Sequence, residues 1–256
     1  MNANKLAFIA SEAGRIILES GGETYRVEDT INRICLSYGF SLSDSFVTAT
    51  GIMICVSDTS NNTASIIKRV HTRTVNLEKI CLVNNFSRNI SKHNYSEEEA
   101  IQILRNIDES KRYGTLPTIL FSALAASTFT LIFGGNTGDA ISAFFIGLII
   151  ESMVSYLNKL ELNFFFINII GGAMAALFAC LLVKINIAFN LDKTIIGSIM
   201  LLVPGLAITN AIRDTIAGDL LAGITRAAEA FLTAVGIAVG SGFILKIWIS
   251  IFGGIG

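Results

Sequence analysis

Charge is scarce in this chain. Asp, Glu, Lys and Arg make up 15% of its 256 residues, against about 25% in an ordinary soluble protein, while hydrophobic residues make up 52%. That balance excludes a disordered chain. The formal net charge of −1 leaves no basic footprint for nucleic acid. Cysteine is sparse and scattered: Cys35, Cys55, Cys81 and Cys180 form no CxxC pair, which excludes a zinc or redox pair and a disulfide framework. The two histidines, His71 and His93, lie outside any HExxH or HxxxH pattern, so no metal and no cofactor are expected. A GxxxxGK[ST] loop is missing, which argues against ATP-driven work by this chain, and so is a GxSxG elbow. The first twenty residues carry Lys5, Glu12, Arg15 and Glu19 and hold no signal-peptide core. The front of the chain is therefore expected to stay in the cytoplasm with its thiols reduced.

The charges that exist are unevenly placed. Residues 1–114 hold 13 basic and 13 acidic side chains, and the following 142 residues hold 6 and 7. This asymmetry predicts an α+β cytoplasmic N-terminal domain over 1–114, followed by an α-helical polytopic membrane domain over 115–256, with Lys111-Arg112-Tyr113-Gly114 at the boundary. In the front part, Leu6, Ile9, Ala10, Ala13, Ile16 and Ile17 recur at helical spacing and Gly21-Gly22 stops that helix. A second helix is expected from Glu23 to Tyr38, burying Val27, Ile31, Ile34, Cys35 and Tyr38. Residues 45–57 and 63–71 read as two strands of a hairpin around a turn at 58–62. A helix over 76–92 follows, and Ser96 with Glu99 reads as a capping box opening a fourth helix.

Five apolar stretches follow, at about 115–134, 139–158, 163–183, 194–212 and 225–252. Each approaches the roughly 20 residues that cross a bilayer as a helix. With the N-terminus inside, Lys111, Arg112, Lys159, Arg213 and Arg226 fall on the cytoplasmic side and Lys184 and Lys193 outside. This predicts a multi-pass protein of the cytoplasmic (inner) membrane. Gly171, Gly172, Gly236, Gly240 and Gly242 suit close helix packing better than phosphate binding.

Three constellations have the polar chemistry to form a site. The first is the N-terminal motif Gly22, Glu23, Tyr25, Arg26, Glu28 and Asp29, where Arg26 is three residues from both Glu23 and Asp29. It reads either as a solvated helix start whose acids suit the helix dipole, or as a polar site at the domain–membrane junction with Arg26 as a carboxylate-binding fork. The second lies in the fourth apolar stretch, where Pro204 and Gly205 precede Thr209, Asn210, Arg213 and Asp214. Pro204 implies either a simple kink or a broken helix whose freed backbone groups line a cavity. The third spans 213–229: Arg213, Asp214 and Asp219 read either as ordinary loop charges or as part of a site, and Arg226 and Glu229, at i and i+3 at the start of the fifth stretch, read either as a structural ion pair or as part of a path. Ionisable groups at membrane depth mark ion pairs, substrate paths or proton relays, so Glu229 and Glu151 are candidates for proton coupling.

The strings ESGGETYRVEDTINRI and LVPGLAITNAIRDTIAGDLLAGITRAAEA resemble the two signatures of the threonine/serine exporter family, and the layout agrees over essentially the whole chain. Gly22 stands where that family commonly has Ala. The similarity is to the split, YjjP-type branch, in which a small membrane subunit of the YjjB type supplies the remaining spans. The resemblance implies a secondary exporter subunit, not an enzyme, moving a carboxylate-bearing metabolite (threonine, serine or succinate) outward as part of a homo- or hetero-oligomer. Pro204, Gly205, Thr209, Asn210, Arg213, Asp214, Asp219, Arg226 and Glu229 would then form the transport path, with the half-helix amides at the break. Two other readings stay open at this point. One is a membrane-bound enzyme using Glu23, Arg26, Glu28, Asp29 and His71; the other is a ligand-sensing scaffold.

Overall fold

The computed structural model describes all residues except 59–61, 94, 111–112, 161 and 254–256. The expected turn at 58–62 and the Lys111-Arg112 boundary therefore fall largely or wholly outside the described residues. The chain forms two compact units: residues 1–111 with 205–228, and residues 112–204 with 229–256.

The first unit opens with α1 (Ala3–Glu19) and α2 (Thr24–Ser37). Every member of the expected α1 stripe is buried, as are Val27, Ile31, Ile34 and Cys35 of α2, while Tyr38 is half-buried at the helix end. The polar face of α1 is held by Arg15, which pairs with Glu12, Glu19 and Asp108. A three-stranded antiparallel sheet follows, in the order β1 (Leu42–Thr48), β2 (Gly51–Ser57), β3 (Thr63–Arg69). The single strand expected over 45–57 is thus two strands. They reverse at Ala49-Thr50, where Thr48 Oγ1 accepts the Thr50 N–H and donates to the Gly51 carbonyl. No glycine, asparagine or positive φ occupies its two central positions, so it lacks the usual signature of a two-residue hairpin loop, and Gly51 only closes it. Val47, Ile52, Ile54, Val56 and Ala64 face the helices and join one apolar core with α1, α2, α3 (Leu77–His93) and α4 (Glu97–Asp108). The capping box at Ser96 and Glu99 is formed in both directions. The opposite face of the sheet leaves Phe46, Met53 and Ile67 exposed in one cross-strand row. The unit is completed by α9 (Gly205–Ala217) and the first turns of α10 (Leu220–Phe252).

The second unit contains α5 (Thr115–Ile132), α6 (Thr137–Lys159), α7 (Phe164–Lys184), α8 (Leu191–Ile199) and the rest of α10. Among the described residues, four helices are long and apolar enough to cross a membrane: α5, α6, α7 and α10. They are apolar all round, and their packed sides gather many small residues around Ile146 and Ile150. Ala123, Ala126, Ala143, Gly147, Ala175 and Ala179 are buried, while Leu116, Phe121, Phe166 and Phe231 stay exposed, as expected where hydrocarbon supplies the outer contacts. Gly172 and Gly240 bring backbones together: a Cβ on either would collide with a carbonyl, that of Ile237 or Ile169 respectively. Gly242, by contrast, has nothing within 4 Å of such a Cβ. The fifth stretch lies within α10, which begins earlier than expected, at Leu220.

The fourth expected span, 194–212, is not one helix. It is divided between α8, which ends at Ile199, and α9, which starts at Gly205. The nine residues of α8 rise only about 13 Å, short of the roughly 30 Å hydrocarbon core. Pro204 stands at the break, where its ring and missing N–H forbid continuation.

Candidate functional site

The site is built in the first unit, where the bend between α1 and α2 meets α9 and the start of α10. The bend itself follows from sequence. Gly21 adopts φ +86° and Gly22 donates back to the Ile17 carbonyl, closing α1. A Cβ on Gly21 would lie 2.9 Å from the Thr74 carbonyl oxygen. This turn aims the Gly21 and Gly22 carbonyls outward. Asn210 Nδ2 donates to the first at 2.8 Å, and Arg226 Nη2 to the second at 2.7 Å.

The N-terminus of α2 then needs a cap, and its N-cap residue, Glu23, makes no capping hydrogen bond with its side chain. Asp214 of α9 does that work. Its Oδ1 accepts the Thr24 N–H at 3.1 Å and the Thr24 hydroxyl at 3.0 Å, and a carboxylate suits the positive end of the helix dipole. The same hydroxyl lies 2.8 Å from Asp219 Oδ2. One hydroxyl proton serves these two carboxylates, so Thr24 donates to one of them at a time. Asp214 is fully buried, and Arg226, 3% exposed, places its Nε 3.0 Å from Asp214 Oδ2.

A second ion-pair chain lies on the wetter side. Glu23 Oε2 accepts from Arg26 Nε at 2.7 Å, and its Oε1 from Arg213 Nη1 at 2.6 Å. Burial, the largest single influence, pushes the Glu23 carboxyl up; donors from Arg26, its own backbone and Arg213 outweigh it and hold the group below the ordinary glutamate range. Glu28 shifts the opposite way. Burial raises it, against the Val47 N–H at 3.0 Å, and the charge of Asp219 adds to the rise.

The structure thus brings together Gly22, Glu23, Arg26, Asn210, Arg213, Asp214, Asp219 and Arg226. Other expected site residues stand apart from the cluster. Asp29 is exposed and pairs with Arg33, not Arg26. Tyr25 is exposed. The Thr209 hydroxyl turns back to the Gly205 carbonyl of its own helix. Pro204 and Gly205 mark the break between α8 and α9. Glu229 and Glu151, both half-buried, belong to the second unit. Two participants carry no signal in the sequence. Thr24 is hidden between two polar neighbours. Arg88 of α3 lines a cleft of about 380 Å³ together with Glu23, Arg26, Asn210 and Arg213, and no motif marks it.

Comparison with known proteins identifies relatives of the whole chain. The sequence profile described as "Putative threonine/serine exporter" matches residues 9–248. The chain is 25% identical over 244 residues to the "Threonine/serine exporter" of Corynebacterium glutamicum, covering 91% of this chain and 49% of that one. It is 23% identical over 248 residues to the "Probable threonine/serine exporter" of Mycobacterium tuberculosis, covering 94% and 46%. It is 22% identical over 254 residues to the "Probable succinate transporter subunit YjjP" of Escherichia coli, covering 93% and 92%. The chain therefore spans about half the length of the two threonine/serine exporters and nearly all of the succinate transporter subunit. No solved structure matches with significance.

Proposed function

The chain belongs to the threonine/serine exporter family, and from that premise we propose that it is one subunit of a secondary exporter. Its cargo is a small carboxylate-bearing metabolite, succinate or threonine and serine, moved outward across the cytoplasmic membrane. The first unit, residues 1–111 with 205–228, works from the cytoplasmic side. A small membrane subunit of the YjjB type supplies the spans that the longer relatives carry in one chain; the chain's coverage of about half of those relatives supports this.

The observation that carries the reading is the joining of the two family signatures. Glu23 to Arg213, and Thr24 to Asp214 and thence to Arg226, link residues some 190 positions apart. The link is made by α9, the helix that follows the break at Pro204, and the guanidinium groups it brings together suit a carboxylate. Substrate carboxylate exchanges with Glu23 or Asp214 for these arginines as the path opens. Glu229 and Glu151 carry the coupling proton.

Efflux from cells preloaded with labelled succinate, threonine or serine tests this. Export is expected when the chain is produced with its small membrane partner, and little from the chain alone. No export of any of the three, with both proteins present and folded in the membrane, would overturn the reading.

A further inference from the structure

The cleft between α2, α3 and α9 has a charge imbalance that the ion-paired cluster beside it does not explain. Three guanidinium groups line it, those of Arg26, Arg88 and Arg213, against the single carboxylate of Glu23. Arg26 and Arg213 share that carboxylate, one on each oxygen. Arg88 is exposed, and among the described residues no acid engages it. The lining therefore carries a net charge of about +2 by formal count, in a cleft whose volume of about 380 Å³ falls in the range of small-molecule sites.

The rest of the lining suits a small anion with a short carbon chain. Asn84 and Arg88 stand one helical turn apart on α3, and Asn210 lies across from them on α9, giving neutral hydrogen-bonding groups around the charges. Leu77, Ile80 and Leu206 form an apolar wall. An ordinary solvated arginine would need no such surroundings, and a cluster built only to brace α9 would be complete with Glu23, Arg213 and Asp214.

We propose that this cleft is a binding site for a small dianion, with Arg88 as the guanidinium dedicated to the ligand and Arg26 and Arg213 completing the second anionic position. The proposal deepens the exporter reading and rests on it for the identity of the cargo, but the site itself is a property of the first unit. A zwitterion with no net charge fits it poorly.

Cys81 reports on occupancy, because its exposed thiol lines the same cleft. Cys35 and Cys180 are buried, so Cys55→Ser leaves Cys81 as the exposed thiol of the chain. The experiment follows maleimide labelling of Cys81 in the purified full chain, with succinate, inorganic phosphate or threonine added. Succinate is expected to slow labelling at least about threefold at saturation. Arg88→Gln should raise the concentration needed by about tenfold, the loss of one charged hydrogen-bonding partner, with Arg88→Lys recovering part of it. Protection by phosphate as well assigns the site to dianions in general; protection by succinate alone assigns it to dicarboxylates. Absence of protection by either dianion, equal protection by threonine, or unchanged protection in Arg88→Gln would overturn the proposal. Efflux without protection removes this site and leaves the exporter reading in place, whereas protection without efflux does the reverse.

Discussion

Thr24 shows how much one small side chain holds here. Its hydroxyl and N–H are the neutral groups that meet the buried carboxylate of Asp214. Thr24→Val keeps the shape and removes the donor, so the first unit should lose about 1–3 kcal/mol, the cost of leaving a buried acceptor short of a partner. Thr24→Ser should lose much less; thermal unfolding in detergent separates the two. Gly21 is a second such point. With φ +86° and the Thr74 carbonyl 2.9 Å from any Cβ, Gly21→Ala should cost about 1–2 kcal/mol or more in the same measurement. Glu23 sets an acid limit. Its carboxyl ionises more readily folded than unfolded, so its contribution is complete above about 4.5, the ordinary glutamate value, and is lost as pH falls through the lower folded value. Glu23→Gln should flatten the stability–pH curve in that acid window. The part of the site legible in sequence was the part written in charges: Glu23, Arg26, Arg213, Asp214 and Arg226 draw attention in an apolar chain. Thr24 and Arg88 escape because a threonine at a helix start and an arginine on an amphipathic helix have ordinary explanations, and only the folded chain sets them beside the others.

At the level of elements, legibility tracks how a helix or strand separates its faces. In α1 and α2 the polar and apolar residues divide cleanly at helical spacing, and the buried stripes are those the spacing predicts. The strand over 45–57 hides a reversal because Ala49-Thr50 reads as continuing β structure. The spans show length but no facing, since every side of them is apolar; small residues carry part of that information instead. This predicts a sharp contrast within α10. Gly240→Val should drive α7 and α10 apart and remove most folded protein from the membrane, while Gly242→Val, with open space at its Cβ, should be tolerated. Membrane abundance and protease resistance of the two variants provide the check. In the first unit, Ser96→Ala should cost about 1 kcal/mol by removing one half of the α4 capping box.

For the whole molecule, the arrangement follows from one interruption. A proline in an apolar stretch divides what would be a spanning helix, and the released segment, α9, contributes to the first unit and not the second. The sequence points to a break or a kink at Pro204 but cannot show which unit claims the residues beyond it, because 205–217 are too apolar to look like part of a cytoplasmic domain. Their polar members, Asn210, Arg213 and Asp214, are what tie them there. In the proposed exporter these ties hold the groups that exchange with the substrate carboxylate.

Arg213 offers the most direct test, because its side chain is 54% exposed and, in its absence, Arg26 still pairs with Glu23 while Asn210 and Asp214 still hold α9. The measurement is succinate, threonine and serine efflux from cells carrying the chain with its small membrane partner, normalised to membrane abundance, for the parent, Arg213→Gln and Arg213→Lys. If Arg213 meets the substrate carboxylate, efflux should fall at least about tenfold in Arg213→Gln, the worth of one charged hydrogen bond, with partial recovery in Arg213→Lys. Parental efflux from Arg213→Gln at equal abundance would contradict that role.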